Sequence, residues 1–542
     1  MLETTDGIGA YHEATKHHLH AFALGPGYLD WATQPDPFRR YDGARLIELT
    51  RPSPGGGPTY GEAASQGAVT ARPVDITIVS RLFFDSLAIS AWKQGGGARW
   101  ALRVNPSSGN LHPTEGYLVA GAFGGVSDTP GVYHYAPKEH GLELRTTFDA
   151  DVWRALAGGF PDGTLFVGLS SIHWREAWKY GERAYRYCQH DAGHAIAAIA
   201  LSASALGLET TLLDDLGTRE IAALLGLESS TGPESEHADC LLAVYPPAPV
   251  RIPRRVDAGA IERVAASAWT GRPNVLSPAH VAWPIIDAVA DAAEKPSVPV
   301  DVEASPTRDA SSVDPRPIDF ETLVRQRRSA VSFDRTTTMP RTAFYRMLGS
   351  VAPLGHHAAL SQFWWHPQVH LALFVHRVDD LSPGLYLLVR RAGARERFQQ
   401  MMPAEFEWET PEGCPPDLDL WRLETADARK VSAQVSCRQD IASDGCFSLG
   451  MLAELESSIA RFGPWFYPRL FWETGAIGQI LYLEAEAAGL RGTGIGCFFD
   501  DAVHQLFGLT GHEFQSLYHF TIGMPVEDTR LTTLPAYPAD DD

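Results

Sequence analysis

Two stretches of this chain match each other at one constant spacing of 282 residues, which constrains the fold more than any other feature. Seven residues recur in this register, most of them glycines: Gly181, Tyr185, Gly193, Gly207, Leu208, Gly226 and Leu227 return as Gly463, Tyr467, Gly475, Gly489, Leu490, Gly508 and Leu509. The sequence therefore predicts one domain present twice. Function should be sought where the two copies differ.

The 542 residues are long enough for two large domains with their own cores. A stretch rich in proline, serine and acidic residues, Glu294 to Pro317, is typical of a linker. The predicted division is an N-terminal extension (1–74), a first domain (75–255), a helical extension with the linker (256–317), a second domain (318–530) and an acidic tail (531–542). The last three residues, Asp540 to Asp542, are expected to be solvated.

Charge and cysteine usage exclude several function classes. The formal net charge of −21 disfavours nucleic acid as a partner, because an acidic surface repels phosphate backbones. The six cysteines have neither zinc-site nor disulfide-framework spacing. No segment has the length and apolarity of a signal peptide or a membrane span, so we expect no membrane association. A reducing cytoplasm is the predicted location.

Each copy shows the same order of predicted elements. A strand (Tyr117 to Ala120; Val369 to Val375) precedes a Gly-x-Tyr strand beginning at Gly131 or Gly384. A long apolar helix then follows Gly193 or Gly475 and ends at a Gly-Leu pair. Copy two carries a net insertion of 29 residues before this helix, which we place within 399–433. Strands interleaved with long helices indicate an α+β or α/β fold.

One polar loop suggests a binding site. It reads Arg103-Val-Asn-Pro-Ser-Ser-Gly-Asn-Leu-His-Pro113 and precedes a predicted strand. Pro106 restricts the backbone, and Ser107, Ser108 and Asn110 offer polar groups that suit the edge of a flat heterocycle. The residues alone also fit an ordinary polar turn.

This loop resembles the Pro-Ser-x-x-Asn loop of the nitroreductase flavoprotein family. The longer segment RVNPSSGNLHPTEGYLV is similar to the SagB-type dehydrogenase branch, which includes oxidases of peptide azolines. The resemblance covers 102–246 and 320–525. It implies two α+β nitroreductase-like domains, each a mainly antiparallel sheet flanked by helices, with FMN as cofactor. Arg103, Pro106, Ser107, Ser108 and Asn110 are then expected to contact FMN.

Two further motifs suit a phosphate. Arg327, Arg328 and Ser329 offer two guanidinium groups and a hydroxyl, and guanidinium groups bind phosphate oxygens in pairs. The turn Gly492 to Gly496 allows backbone amides to approach an anion. By themselves these motifs also fit a surface basic pair and a structural turn. The resemblance implies that Arg327, Arg328, Ser329, Gly494, Ile495 and Gly496 bind the FMN phosphate.

The two copies lack complementary parts of this site. The register assigns Val74 to Ile76 and Leu212 to Asp214 in copy one as the counterparts of the phosphate motifs, and neither segment resembles them. Copy two has Ala359 to Phe363 in place of the polar loop. Family members are usually homodimers whose FMN sites take contacts from both subunits. The chain is therefore predicted to be an intramolecular pseudo-dimer with one composite FMN site, and a monomer in solution.

Lys179 and Tyr180 are the predicted catalytic residues. The resemblance implies that this pair handles a proton, because the loss of a hydride leaves a proton to be removed. Copy two has Arg461 and Phe462 instead, and the alternative is a surface lysine beside a packing tyrosine. His190 and His194 have metal-ligand spacing but no third ligand nearby, so no metal site is predicted.

The predicted function is an FMN-dependent oxidoreductase of the SagB type. It would move a hydride between flavin and a small-molecule or peptide substrate, with NAD(P)H or oxygen as the open choices of redox partner. An NAD(P)H-dependent nitro or quinone reductase is the alternative within enzymes. A flavin-free accessory or scaffold protein is the alternative outside them.

Overall fold

A computed structural model describes residues 7–53, 55–229, 231–249, 251–301, 317–353 and 357–537. The helices are α1 (Gly7–Ala14), α2 (Tyr60–Ala64), α3 (Ile76–Phe84), α4 (Ala150–Leu156), α5 (His173–Tyr180), α6 (Ala184–Ala205), α7 (Thr218–Leu225), α8 (Ala258–Ala265), α9 (Pro284–Ala292), α10 (Phe320–Gln326), α11 (Arg341–Val351), α12 (Ala358–Ser361), α13 (Ala394–Met401), α14 (Arg429–Val435), α15 (Ile441–Asp444), α16 (Leu455–Phe462), α17 (Tyr467–Ala487) and α18 (Asp500–Leu506). Within the described ranges, none of these helices is long and apolar enough to cross a bilayer.

The strands are β1 (Tyr41–Asp42), β2 (Arg45–Glu48), β3 (Ile89–Gly95), β4 (Ala98–Arg103), β5 (Thr114–Ala120), β6 (Gly131–Ala136), β7 (Gly141–Thr147), β8 (Leu165–Ser171), β9 (Glu209–Leu212), β10 (His237–Tyr245), β11 (Arg272–Pro273), β12 (Val369–Val375), β13 (Gly384–Leu388), β14 (Leu420–Thr425), β15 (Phe447–Glu454), β16 (Arg491–Ile495), β17 (Phe514–Gly523) and β18 (Thr532–Leu534).

Each copy is built on one antiparallel sheet. The sheet of copy one has the order β2-β7-β6-β5-β8-β10-β9, and that of copy two has the order β14-β13-β12-β15-β17-β16. All pairings within the two sheets are antiparallel. The central strands β5, β6, β12 and β13 are buried throughout because helices and loops cover both faces. The predicted α+β class with two sheet-and-helix domains is confirmed.

The long buried helices α6 and α17 cross at the two equivalent glycines. A Cβ on Gly193 would collide with the carbonyl oxygen of Trp472, and one on Gly475 would collide with that of His190. Trp472 and His190 are themselves equivalent in the 282-residue register. Each copy thus offers the same surface to the other, as in the interface of a twofold-symmetric dimer. The predicted pseudo-dimer is confirmed.

The other repeated glycines end helices. Gly207 and Gly489 follow α6 and α17 with φ of 73° and 72°, and Gly226 and Gly508 follow α7 and α18 with φ of 70° and 68°. Side chains with a Cβ rarely adopt this left-handed conformation, so glycine is favoured at all four positions. Gly181 and Gly463 likewise end α5 and α16, also with positive φ. The sequence repeat therefore records one helix crossing and three helix ends in each copy.

The structure corrects two of the residue correspondences. Helices α3 and α10 are each capped by an aspartate, Asp75 and Asp319, so the counterparts of Arg327 to Ser329 are residues 83–85 and not 74–76. Strands β5 and β12 correspond with a spacing of 255, so the counterparts of Pro106 to Asn110 are residues 361–365 and not 359–363. Residues 83–85 contain no arginine, and residues 361–365 lack the Pro-Ser-x-x-Asn pattern. The motifs are therefore missing at the corrected positions as well.

Both ends of the chain are built into the domains. Strand β2 of the predicted N-terminal extension pairs with β7, and His12 in α1 contacts the Tyr467 hydroxyl at 3.1 Å in copy two. Strand β18 pairs with β3 of copy one, and the Tyr537 hydroxyl donates to the Pro137 carbonyl at 2.7 Å. Backbone pairing and an aromatic anchor thus hold 531–537 against copy one, whereas Asp540 to Asp542, the residues expected to be solvated, lie outside the described part of the chain. Residues 302–316 of the linker and 538–542 lie outside the described residues.

The insertion of copy two lies largely between β13 and β14. The equivalent strands β6 and β7 of copy one are joined by a short turn, whereas β13 and β14 are separated by α13 and a long connection. The predicted region, 399–433, overlaps this connection. This added segment contributes Asp417 and Asp419 to a second cavity described below.

Candidate cofactor site

A cavity of about 480 Å³, called the cofactor cavity here, lies between the two copies. It is lined by all eleven residues predicted to bind the cofactor, which are Arg103, Pro106, Ser107, Ser108 and Asn110 of copy one and Arg327, Arg328, Ser329, Gly494, Ile495 and Gly496 of copy two. Tyr180 also lines it. The volume lies in the range of small-molecule sites. The fold therefore brings together motifs that are more than 200 positions apart in the chain.

Copy one supplies the polar loop after β4. The Ser108 backbone N–H donates to Asp191 Oδ1 at 3.0 Å, and the Ser108 hydroxyl donates to the same oxygen at 3.1 Å. Gly109 has a φ of 58°, and Asn110 donates through Nδ2 to the Ala101 carbonyl at 2.7 Å. These bonds hold the loop in one compact conformation against α6 and β4.

Copy two supplies two arginines that reach across the interface. Arg327 donates to the Val104 and Arg103 carbonyls, both at 3.2 Å, in copy one. Arg328 donates to the Ser90 hydroxyl at 3.3 Å and to the backbone carbonyl of Arg325 at 2.7 Å. Their backbone partners orient the guanidinium groups without neutralising them, since no carboxylate is among these acceptors. The interface thus contributes concentrated positive charge to the cavity wall.

The glycines of β16 allow aromatic side chains to approach the backbone. A Cβ on Gly494 would collide with the Tyr518 hydroxyl, and one on Gly496 would collide with the Tyr187 ring. The Tyr482 hydroxyl accepts the Gly494 N–H at 2.9 Å and lies 2.9 Å from Ser329 Oγ. Glycine is therefore required at 494, in β16, and at 496, just after it, because tyrosine rings pack directly against the backbone of this cavity wall.

The electrostatics of the cavity favour an anionic ligand. Burial lowers the pKa of Arg103 to about 10, and burial together with the charge of Arg327 lowers that of Arg328 to about 10. Both groups remain cationic at neutral pH. In addition, Arg103 Nε and Asn105 Oδ1 are buried and have no hydrogen-bond partner among the described residues. The donor set, the glycine cradle and these unsatisfied atoms fit a flat polar ring that carries a phosphate.

Lys179 and Tyr180 lie beside the polar loop. A Cβ on Gly109 would come 2.5 Å from the Tyr180 hydroxyl and 3.0 Å from Lys179 Nζ. Burial, with a contribution from Glu176, raises the pKa of Tyr180 well above its usual value. Tyr180 therefore stays protonated at neutral pH. Its hydroxyl can donate a hydrogen bond at this position, whereas Lys179 is not among the residues that line the cavity.

The histidine pair of α6 is part of the packing. His190 Nε2 lies 2.9 Å from the Leu517 carbonyl, and its ring stacks on that of Tyr518. His194 Nε2 lies 3.3 Å from the Tyr518 hydroxyl. The described residues contain no cluster of three or more side chains suited to a metal ion.

Several residues of the cavity wall escaped the sequence motifs. They are Tyr187, Asp191, Tyr482, Arg491, Cys497 and Tyr518. Burial raises the pKa of Asp191 to about 7, although the hydroxyls and the amide of the polar loop oppose that shift. Tyr187 and Asp191 follow the Lys179-Tyr180 pair closely in the sequence. This proximity is the one sequence signal that could have indicated them. Tyr482 and Tyr518 have the burial pattern of ordinary core residues, and no sequence signal distinguishes them.

A second cavity, of about 680 Å³, lies on the pseudosymmetric side and is called the mirror cavity here. Its wall includes Ser361, Phe363 and Trp365, which are counterparts of the polar loop, and Glu473, the counterpart of Asp191. Gln66 is its single lining residue from the first half of the chain among those described. Unlike the cofactor cavity, it is formed almost entirely by copy two.

Comparisons with known proteins agree with this architecture. A model of the nitroreductase family matches residues 97–244 and 324–524, one match for each copy. A crystal structure described as a nitroreductase from Anabaena variabilis covers 96% of this chain and 100% of its own, with 21% identity and a TM-score of 0.68. That structure therefore shares the fold of the whole tandem chain.

Two other similarities are partial. A Methanocaldococcus jannaschii protein named as a nitroreductase, MJ1384, is 28% identical over 130 residues, which are 23% of this chain and 63% of that protein. The Escherichia coli microcin synthetase McbBCD complex, bound to truncated pro-MccB17, contains a chain that is 16% identical over 39% of this chain and 70% of its own. Its TM-score of 0.26 is too low to support a structural argument. The family matches, which together span more than half of the residues, show that the chain belongs to the nitroreductase family.

Proposed function

We propose that this protein is an FMN-dependent oxidoreductase with one composite FMN site between its two copies. The observation that carries the proposal is the single cavity lined by the polar loop of copy one and by the arginines and glycines of copy two. Membership of the nitroreductase family supports oxidoreductase chemistry. The absence of an arginine pair from 83–85, the counterpart in copy one, supports a single site.

Arg327, Arg328 and Ser329 would hold the phosphate. Two cationic guanidinium groups match the charge of a phosphate dianion, and each offers paired donors to its oxygens. Because Arg327 and Arg328 are already bonded to backbone carbonyls, little side-chain freedom is lost on binding. Gly494 and Gly496 would let the backbone approach the same ligand.

The polar loop would contact the edge of the flavin ring. Ser107, Ser108 and Asn110 line the cavity, and the bonds of Ser108 to Asp191 fix the loop before the ligand arrives. The flavin, when bound, supplies the hydride acceptor or donor, and the protein orients it. The substrate would bind beside Tyr180, which lines the cavity.

The favoured reaction is the SagB type, the removal of a hydride from a C–N or C–C bond of a small or peptidic substrate. Lys179 would accept the proton that the substrate loses, and Tyr180 would donate a hydrogen bond to a substrate heteroatom. The support is their position at Gly109 on the polar loop, together with the raised pKa of Tyr180. Azoline-containing peptides are the substrate class that we would test first.

The direct test is the flavin content of the full-length protein. We expect a yellow protein that holds one FMN per chain after loading and desalting, measured by its visible absorbance. A protein that cannot be loaded with FMN would exclude the enzyme proposal and favour an accessory role. Two flavins per chain would contradict the single composite site.

The direction of catalysis needs a second assay. We would mix the loaded protein anaerobically with a model peptide thiazoline or with NADPH and follow the bleaching of the flavin. Bleaching by the thiazoline alone is expected for a dehydrogenase. Bleaching by NADPH alone would replace it with the nitro or quinone reductase.

A further inference from the structure

Two cysteines far apart in sequence meet in the wall of the cofactor cavity. Cys437 follows α14, and Cys497 follows the Gly494 to Gly496 segment after β16. Their Sγ atoms are 2.7 Å apart, although the residues are separated by 60 positions. Both are partly exposed, and Cys497 lines the cavity. The spacing of the cysteines in the sequence predicts no such pair, so the contact is a product of the fold.

The backbone around the pair is tied together independently of the sulfur atoms. Gln439 donates through Nε2 to the Cys497 carbonyl at 2.9 Å and to the Ser436 carbonyl at 3.0 Å. One side chain thus links the two segments that carry the thiols. A covalent S–S bond is about 2.05 Å long, so closing it requires the sulfur atoms to approach by less than about 1 Å.

The surroundings make the two thiols unequal. The hydrogen bond from Cys437, followed by one from His17 and by the charge of Arg183, lowers the pKa of Cys497, whereas the same bond to Cys497 raises the pKa of Cys437. His17 is oriented for this role because its Nδ1 accepts the Ala23 N–H at 2.9 Å, which leaves the proton on Nε2. Cys497 is therefore the more acidic thiol of the pair, and the thiolate is the reactive form of cysteine.

Arg183 couples the pair to the cavity wall. Its Nη2 donates to the carbonyl of Gly496 at 3.3 Å, and its guanidinium lies 4.8 Å from the centre of the Phe498 ring. The segment that carries Cys497 is thereby fixed from copy one. Copy one itself has Asp215 at the position equivalent to Cys497, so the pair belongs to the cofactor cavity alone.

We propose that Cys437 and Cys497 form a redox-active dithiol that closes to a disulfide in this wall, with a small-molecule disulfide as the oxidant. The Cys497 thiolate attacks one sulfur of that disulfide, which forms a mixed disulfide and releases one thiolate. Cys437 gives its proton to the released thiolate and attacks Cys497 Sγ, and this expels the second thiolate. The two cysteines lose two electrons in total, and the small disulfide gains them as it becomes one thiol and one thiolate.

The test uses the full-length protein without added flavin, so its outcome does not depend on the proposed function. The protein is equilibrated with glutathione buffers of increasing oxidised fraction, alkylated with N-ethylmaleimide in denaturant so that the buried cysteines also react, and analysed by intact mass. We expect two of the six cysteines to escape alkylation together, and a peptide that links residues 437 and 497 after proteolysis. Six alkylated cysteines in every buffer, or a link between other cysteines, would overturn the proposal.

Variants separate the two roles. Cys437→Ser should accumulate a mixed disulfide with glutathione at Cys497, because the thiol that resolves it is missing. Cys497→Ser should leave Cys437 reduced under the same conditions. Cys414→Ser is the matched control: its sulfur contacts only backbone carbonyls, of Pro415 and Leu418, among the contacts described, and the disulfide should still form. Equal labelling of Cys437 and Cys497 by glutathione in the single variants would contradict the assignment of Cys497 as the attacking thiolate.

Discussion

The cofactor cavity and the region related to it by pseudosymmetry have the same backbone framework but different contents. At one equivalent pair of positions, Gly496 lies against the Tyr187 ring on the cofactor side. On the other side the pair is Asp214 and Arg469, which form a buried salt bridge. The Trp364 indole also donates to Asp214 at 2.8 Å. On the cofactor side, the glycine backbone forms part of the cavity wall. On the related side, an ion pair and an indole ring fill the equivalent space.

This difference shows how a duplicated domain can lose one of two equivalent sites without losing its fold. The strands, the helix crossing and the left-handed glycines are kept in both copies because they determine the packing. The residues that differ include those of the polar loop and of the two phosphate motifs. The mirror cavity lies against the inserted segment of copy two, which contributes Asp417 and Asp419 to its wall.

The comparison predicts that the phosphate motif of copy two carries the largest share of FMN affinity. Arg327→Ala combined with Arg328→Ala removes two charged donors, each worth about 1.5–3 kcal/mol. The FMN dissociation constant should therefore rise at least about 100-fold, measured by the quenching of flavin fluorescence. Arg391→Ala, which alters an arginine of the mirror cavity, is the control and should leave FMN binding unchanged. Equal losses in the two proteins would contradict the functional difference between the cavities.

The ion pair between Asp214 and Arg469 should contribute to the stability of the fold rather than to FMN binding. Asp214→Ala leaves the buried Arg469 without its carboxylate, and breaking such a pair costs about 3–5 kcal/mol of the free energy of unfolding. Urea denaturation should detect this loss, and the FMN content should stay at one per chain. Asp427→Ala, which breaks an exposed pair with Arg429, should unfold like the wild type. A second bound flavin in the Asp214→Ala protein would show that the ion pair alone suppresses the second site.

The catalytic assignment predicts a smaller, kinetic difference between the copies. Lys179→Met should lower turnover about 100-fold, the lower range for the loss of a general base, while FMN is retained. Arg461→Met alters the equivalent residue of copy two and should have no effect on turnover. Steady-state rates with the reducing substrate identified by flavin bleaching provide the measurement. Normal turnover by Lys179→Met would remove this residue from the mechanism.

The constant register of the sequence was sufficient to predict the duplication, and the resemblance of the motifs supplied the two-domain α+β fold, which the structure confirms. The composite FMN site stays a prediction. The seven repeated residues retained their spacing because they lie at a helix crossing and at helix ends, where backbone geometry tolerates little change. Arg327, Arg328 and the Pro106 to Asn110 loop were recognisable because each is a short contiguous motif. Such motifs keep their meaning without any knowledge of the fold.

Only the tertiary structure revealed the contacts between segments distant in sequence. Cys437 and Cys497, the pairing of β18 with β3, and the filling of the mirror side by Asp214, Arg469 and Trp364 join residues with no shared pattern. Local sequence specifies helices, turns and motifs because neighbouring residues interact through the backbone. Which of these segments meet is decided by packing the whole chain, since burial and charge pairing depend on residues anywhere along it.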